Sequence, residues 1–236
     1  LGNEGSTGTL VAENGLLLQL GRTVLGRGTI ATGGDQTTGL ESHGLVQGES
    51  MAEPIILDGY ATGNGAWDNV VFTGTFSPGP GPVLAELGAA RYGLESTLVV
   101  ELGGTWPGTQ HDQLSHSRTA ELAGTLCLQM EREYAPRVGQ DVLLLTASQI
   151  DGAFDRVQGI DAGGGLFWAV RYDENAVRAI ATLPGDADGN GLISDADYTI
   201  WADNYGAVGA TWSMGDFNGD GAVTDADHTI WADNYT

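Results

Sequence analysis

From Thr9 to Ala181 the chain alternates short apolar runs with gaps rich in glycine. The runs Thr9–Val11, Leu16–Leu20, Thr23–Leu25, Thr29–Ala31, Gly44–Gln47, Ile55–Leu57 and Val70–Thr73 predict strands. So do Ser96–Glu101, Gly124–Met130, Val142–Thr146, Leu166–Tyr172 and Ala176–Ala181. Most are rich in Val, Leu, Ile and Thr and are bounded by Gly, Asn or Asp, the usual signature of strands between turns. Before Leu183 no sustained helical period appears, although Pro82–Arg91 reads either way. Many short strands with glycine turns fit a sandwich, a barrel or a β-solenoid. Their irregular spacing favours the solenoid, in which glycines permit sharp corners between successive faces. The expectation is therefore a mainly β fold, β-solenoid or right-handed β-helix-like.

The pattern changes at Leu183-Pro184-Gly185, a turn-type sequence. Beyond it a loop followed by a helix-like stretch occurs twice, which divides the chain into residues 1–182 and 183–236. Asp186-Ala187-Asp188-Gly189-Asn190-Gly191-Leu192-Ile193-Ser194-Asp195-Ala196-Asp197 returns thirty residues later, from Asp216 to Asp227. Oxygen-bearing side chains stand at loop positions 1, 3, 5 and 12, and glycine at position 6 gives the sharp mid-loop turn. A calcium ion takes six to eight oxygens, and this spacing supplies them. The expected ligands of two Ca2+ ions are Asp186, Asp188, Asn190, Asp197, Asp216, Asn218, Asp220 and Asp227. The backbone carbonyls of Leu192 and Ala222 at position 7 complete the set, with Ser194 and Thr224 at position 9 acting through water. Ile193 and Val223 at position 8 are expected to point inward and pair the two loops. Each loop is followed by Thr-Ile-Trp-Ala-Asp-Asn-Tyr, at Thr199–Tyr205 and Thr229–Tyr235. Trp201 and Tyr205, like Trp231 and Tyr235, stand four apart on one helix face, and paired core is a better reading of them than a sugar platform.

Charge sharpens this division. The 236 residues carry 31 acidic and nine basic side chains, a net charge of -22, and every basic residue is arginine. Residues 181–236 hold ten aspartates and no Lys or Arg. So acidic a surface repels phosphate backbones and anionic lipid and attracts divalent cations, which argues against nucleic-acid and membrane-surface partners. The 38 glycines follow no Gly-X-Y period, and 41% hydrophobic residues suffice for a core. Cys127 has no partner cysteine and reads as a small residue on a strand. No apolar stretch approaches the ~20 residues of a membrane helix, so membrane insertion is not expected. The start at Leu1, without methionine or a signal-peptide pattern, suggests a mature or excised piece of a longer precursor.

Catalytic patterns are sparse. Of His43, His111, His116 and His228, only His111-Asp112 with His116 forms a cluster, and a polar turn is its simplest reading. His-Glu-x-x-His, Gly-x-Ser-x-Gly and phosphate-loop motifs are missing from the sequence, and Gly33-Gly34 and Gly163-Gly164-Gly165 read as turns. An enzyme is not expected. A polysaccharide-degrading or carbohydrate-binding protein is the alternative.

Two resemblances add to these readings. Phe76–Pro82, Ser96–Thr105, Pro107–Leu114, Gly124–Leu126, Leu143–Ser148 and Gly152–Asp155 together resemble secreted autotransporter-type β-helix proteins of planctomycete bacteria, over about residues 65–180. That likeness implies a passive extracellular β-helix. Pro184–Thr236 resembles a type I dockerin, a small helical module with two calcium loops and one helix after each. Dockerins plug into cohesins and attach proteins to extracellular scaffolds. The calcium positions carry over, but the recognition positions do not. Loop positions 10 and 11, often Ser/Thr in that family, are Asp195-Ala196 and Asp225-Ala226 here. The Lys/Arg pair of the following helix is replaced by Ala202-Asp203 and Ala232-Asp233. The implied function is extracellular or cell-surface assembly as a structural or adhesion protein. Its partner would be a cohesin-like domain or neighbouring identical subunits, filaments included, with polysaccharide as a further candidate ligand.

Overall fold

The computed structural model describes residues 7–131 and 133–235. The chain is mainly β, with parallel sheets and two short helices near its C-terminus, α1 (Asp195–Asp203) and α2 (Asp225–Asn234). Through residue 158 each sheet takes every third strand in sequence, so the backbone visits three faces in turn. Leu16–Leu18, Leu40–Ser42, Tyr60–Thr62, Thr75–Ser77, Thr97–Leu102, Thr125–Met130 and Arg156–Gln158 make one such face, all in parallel pairs. Such a path is compatible with the expected β-helix.

The spacing of the strands explains why no repeat is visible in the sequence. On one face Gly8 lies beside Gly28, Gly28 beside Ile55, Ile55 beside Val70, Val70 beside Ala90 and Ala90 beside Ala120. The chain length between partners thus swings from 15 to 30 residues, and the connecting loops absorb the difference. What does repeat is the inward side chain. Leu98, Val100 and Leu102 are buried and sit beside Leu126, Leu128 and Met130 of the next strand. Each fully buried leucine contributes roughly 1.5–3 kcal/mol. An aromatic column runs through the same core, with Phe72 stacked on Phe76 at 4.3 Å and on Tyr92 at 5.3 Å. Corners close tightly: a Cβ on Gly74 would lie 1.9 Å from the Gly59 carbonyl oxygen.

Pro82–Arg91 resolves as strand, in Leu84–Leu87 and the start of Ala90–Tyr92. The third sheet changes character at its end, where Asp141–Thr146 pairs antiparallel with Ala176–Thr182. Ala176–Thr182 then pairs antiparallel with Leu166–Tyr172, and that strand with Asp161–Gly163. Gly163, Gly164 and Gly165 all have positive φ and make this last turn. Among the described residues no helix is long and apolar enough to cross a membrane.

Candidate metal centre

Both loops after the last strand are folded by their own carboxylates. Asp186 accepts hydrogen bonds from the backbone of Gly189 at 2.8 Å, Asn190 at 3.1 Å and Gly191 at 2.9 Å. Asp216 accepts from Gly219, Asp220 and Gly221 at 2.9, 3.2 and 2.9 Å. These bonds wrap the chain around the carboxylate, and the wrap requires positive φ at Gly189 and Gly191 and again at Gly219 and Gly221. The loop is closed from the helix side. Asp197 accepts from the amides of Ala187 at 2.9 Å, Asp188 at 3.3 Å and Ser194 at 2.8 Å. Asp227 does the same with Phe217, Asn218 and Thr224.

Each position-12 aspartate has a second task. With Ser194 it forms the capping box that starts α1, and Asp227 forms the matching box with Thr224 at α2. The position-9 hydroxyls therefore act as N-caps, accepting from Ala196 and Ala226. Carboxylates in the first turn also sit well in the helix dipole.

Ligand atoms of Asp186, Asp188 and Asp197 lie within 4.8 Å of one another, Asp186 and Asp197 buried and Asp188 exposed. At that separation each pair of like charges repels by about 3 kcal/mol at a near-surface dielectric. None of the ion pairs among the described residues reaches these carboxylates. In the second loop Asn218 takes position 3 and Asp220 position 5, so the charge is distributed differently. There burial pushes the Asp216 carboxyl up to about 6, and Asp227 and Asp220 add to the shift. Carboxylates that converge on a negative, partly dry centre are chemistry for a hard divalent cation. The side chains of Asp186, Asp188, Asn190 and Asp197 would hold one ion, and those of Asp216, Asn218, Asp220 and Asp227 the other.

The expected pairing of the two loops is corrected. Val223 exchanges backbone hydrogen bonds with Gly206 and Ala207, and Ala210 donates to Gly221, so the bridge forms between Val208 and Ala222 rather than with Ile193. The linker after α1 takes both backbone groups of Val223, and Ile193 is left half-buried. On the loop side these bonds use the carbonyls of Gly221 and Val223 and the amide of Val223, not the Ala222 carbonyl.

The helices instead bind each other reciprocally. Trp201 Nε1 donates to the Thr224 carbonyl at 2.9 Å, and Trp231 Nε1 donates to the Ser194 carbonyl at 3.1 Å. Tyr205 donates to Asp225 at 3.0 Å and Tyr235 to Asp195 at 2.9 Å. Each helix thus ties down the end of the other helix's loop. The expected paired core holds only in part: Trp201 and Trp231 are half-buried against the apolar cluster of the tail, whereas Tyr205 and Tyr235 are exposed.

The histidine cluster is also corrected. His111, Asp112 and His116 are buried at 1%, 0% and 3% exposure, and His116 lies in the strand Gln113–His116, so the three do not share a polar turn. Stacked neighbours surround them. His111 bonds the carbonyls of Gly104 and Leu143, while Asp112 accepts from the amides of Val83 at 2.9 Å and Glu101 at 2.8 Å. His116 bonds the Tyr92 hydroxyl at 3.2 Å. Burial pushes His116 down to about 4 and Asp112 up to about 6.

Two residues that hold the first loop escaped the motif. The Thr182 hydroxyl donates to the Asp186 carboxylate, and Trp212 Nε1 donates to the Asp186 carbonyl at 2.7 Å. Neither belongs to the repeated spacing, so no sequence signal marked them. No protein-family model and no curated protein matches the chain.

Proposed function

We propose that this chain is a secreted β-helix protein of structural or adhesive role, carrying a dockerin-like module that is stabilised by two calcium ions and mediates extracellular assembly. The observation that carries the reading is the duplicated loop. The oxygen-bearing and glycine positions of a twelve-residue loop recur at the same spacing, and Asp186, Asp188 and Asp197 converge within 4.8 Å with no ion-pair partner among the described residues. Calcium relieves their repulsion, and its binding free energy becomes folding free energy for the tail. A structural role is supported by His111 and Asp112, the pair that best resembled catalytic groups, which are engaged with backbone on both sides. The module's partner is a cohesin-like domain or another copy of the chain. Ala202-Asp203 and Ala232-Asp233 make recognition different from that of a Lys/Arg-bearing dockerin.

The test is a calorimetric calcium titration of the whole chain. Two ions are expected, with one lost in Asp197→Ala and the other in Asp227→Ala. Absence of calcium uptake by the parent chain would end this reading.

A further inference from the structure

The loops that would hold calcium are also the surfaces that meet the β domain. Ala187 and Phe217 occupy position 2 of their loops, between the expected ligands Asp186 and Asp188 and between Asp216 and Asn218. Both are buried, in one apolar cluster with Ala169 of the strand Leu166–Tyr172. Trp212 joins the two sides: its ring meets Phe217 at 5.3 Å and Phe167 of the strand at 6.3 Å.

The second loop touches the β domain through backbone as well. Val157, in the last strand of its parallel sheet, donates its amide to the Gly219 carbonyl at 2.8 Å. A Cβ on Gly219 would lie 2.5 Å from the Val157 carbonyl oxygen, and one on Gly221 would lie 2.2 Å from that of Asp155. Position 4 carries no ligand in the calcium spacing. At Gly219 the bare Cα serves a close approach between the loop and the strand, besides its φ of +73°.

We propose that the tail is an end cap of the β domain and that calcium seats it, an inference that rests on the two-calcium reading above. Ordering the ligands at positions 1 and 3 fixes the side chain between them, which is the one that docks. Metal binding and docking are then one linked event. By reciprocity the docked sheet raises calcium affinity as much as calcium strengthens docking.

The experiment is hydrogen exchange on the full chain in calcium and in chelator, alongside the calcium titration. Calcium is expected to slow exchange in residues 155–158 and 166–172 together with 186–227. Phe167→Ala alters only the β-domain side of the contact. It should weaken calcium affinity within the ~5–150-fold range of typical coupling and abolish the protection of 155–172. Phe167→Leu, which keeps apolar contact, should restore much of both. Protection confined to 186–227, or parent-like calcium affinity in Phe167→Ala, would overturn the cap while leaving the calcium sites intact. A parent chain that takes up no calcium would overturn both readings, and the titration reports that directly.

Discussion

Asp197→Ala separates the two tasks given to a position-12 aspartate. The side chain is buried and accepts the amides of Ala187, Asp188 and Ser194 as well as the Ser194 hydroxyl. Truncation strands three backbone donors. At roughly 1–3 kcal/mol for each buried orphan, with water entering the space left behind, the expected cost is about 3 kcal/mol with no metal present. In calcium the parent gains a further RT ln(1 + [L]/Kd) at this site, about 2.7 kcal/mol at a hundredfold excess over Kd, and the variant does not. Its deficit should therefore grow to about 6 kcal/mol. Urea unfolding followed by tryptophan fluorescence reads the tail through Trp201, Trp212 and Trp231. An equal deficit in calcium and in chelator would refute the argument, because Asp197 would then be a loop clamp and a helix cap with no share in metal binding.

The reciprocal helix contacts give a paired expectation. Trp201→Phe and Trp231→Phe each lose one indole bond to a carbonyl, so each should cost about 1 kcal/mol in calcium, and the two values should agree. Asp112 supplies a pH dependence. Its folded pKa of about 6 lies above the ordinary carboxylate value, so its contribution to stability is full below about pH 4 and is lost as pH rises through 6. Denaturation curves in calcium should show that decline in the parent and a flatter profile in Asp112→Asn. Gly74→Ala, which drives a Cβ into the Gly59 carbonyl, should destabilise by more than about 2 kcal/mol or prevent folding. Gly34→Ala faces open space and should unfold within about 0.5 kcal/mol of the parent.

How far the sequence could be read depended on where each residue finds its partners. The loops at Asp186–Asp197 and Asp216–Asp227 are local: their bonds close within ten residues, so spacing alone revealed them. Strands such as Thr97–Leu102 and Leu166–Tyr172 carry enough alternating or β-branched residues to be recognised. Leu40–Ser42 and Ala66–Asp68 have three residues each, too few to show a period, and stacking alone makes them strands. The burial of Asp112 was hidden for a similar reason, since its Val83 partner lies 29 residues away and is a backbone amide. Docking of the tail was hidden because Ala187 and Phe217 share a role and little chemistry. Only the surface of Leu166–Tyr172 makes them equivalent.

The unequal chain lengths between stacked strands carry a consequence for how this molecule can change. Register is set by neighbouring inward side chains such as Leu98 and Leu126, not by the contour length that separates them. Material added or removed in a connection leaves the ladders on either side in step, as the 15-residue and 30-residue intervals already demonstrate. A protein built this way can acquire surface segments at almost any level without renegotiating its interior. Its loops are free to diverge while the columns of Leu, Val and Phe behind them hold still.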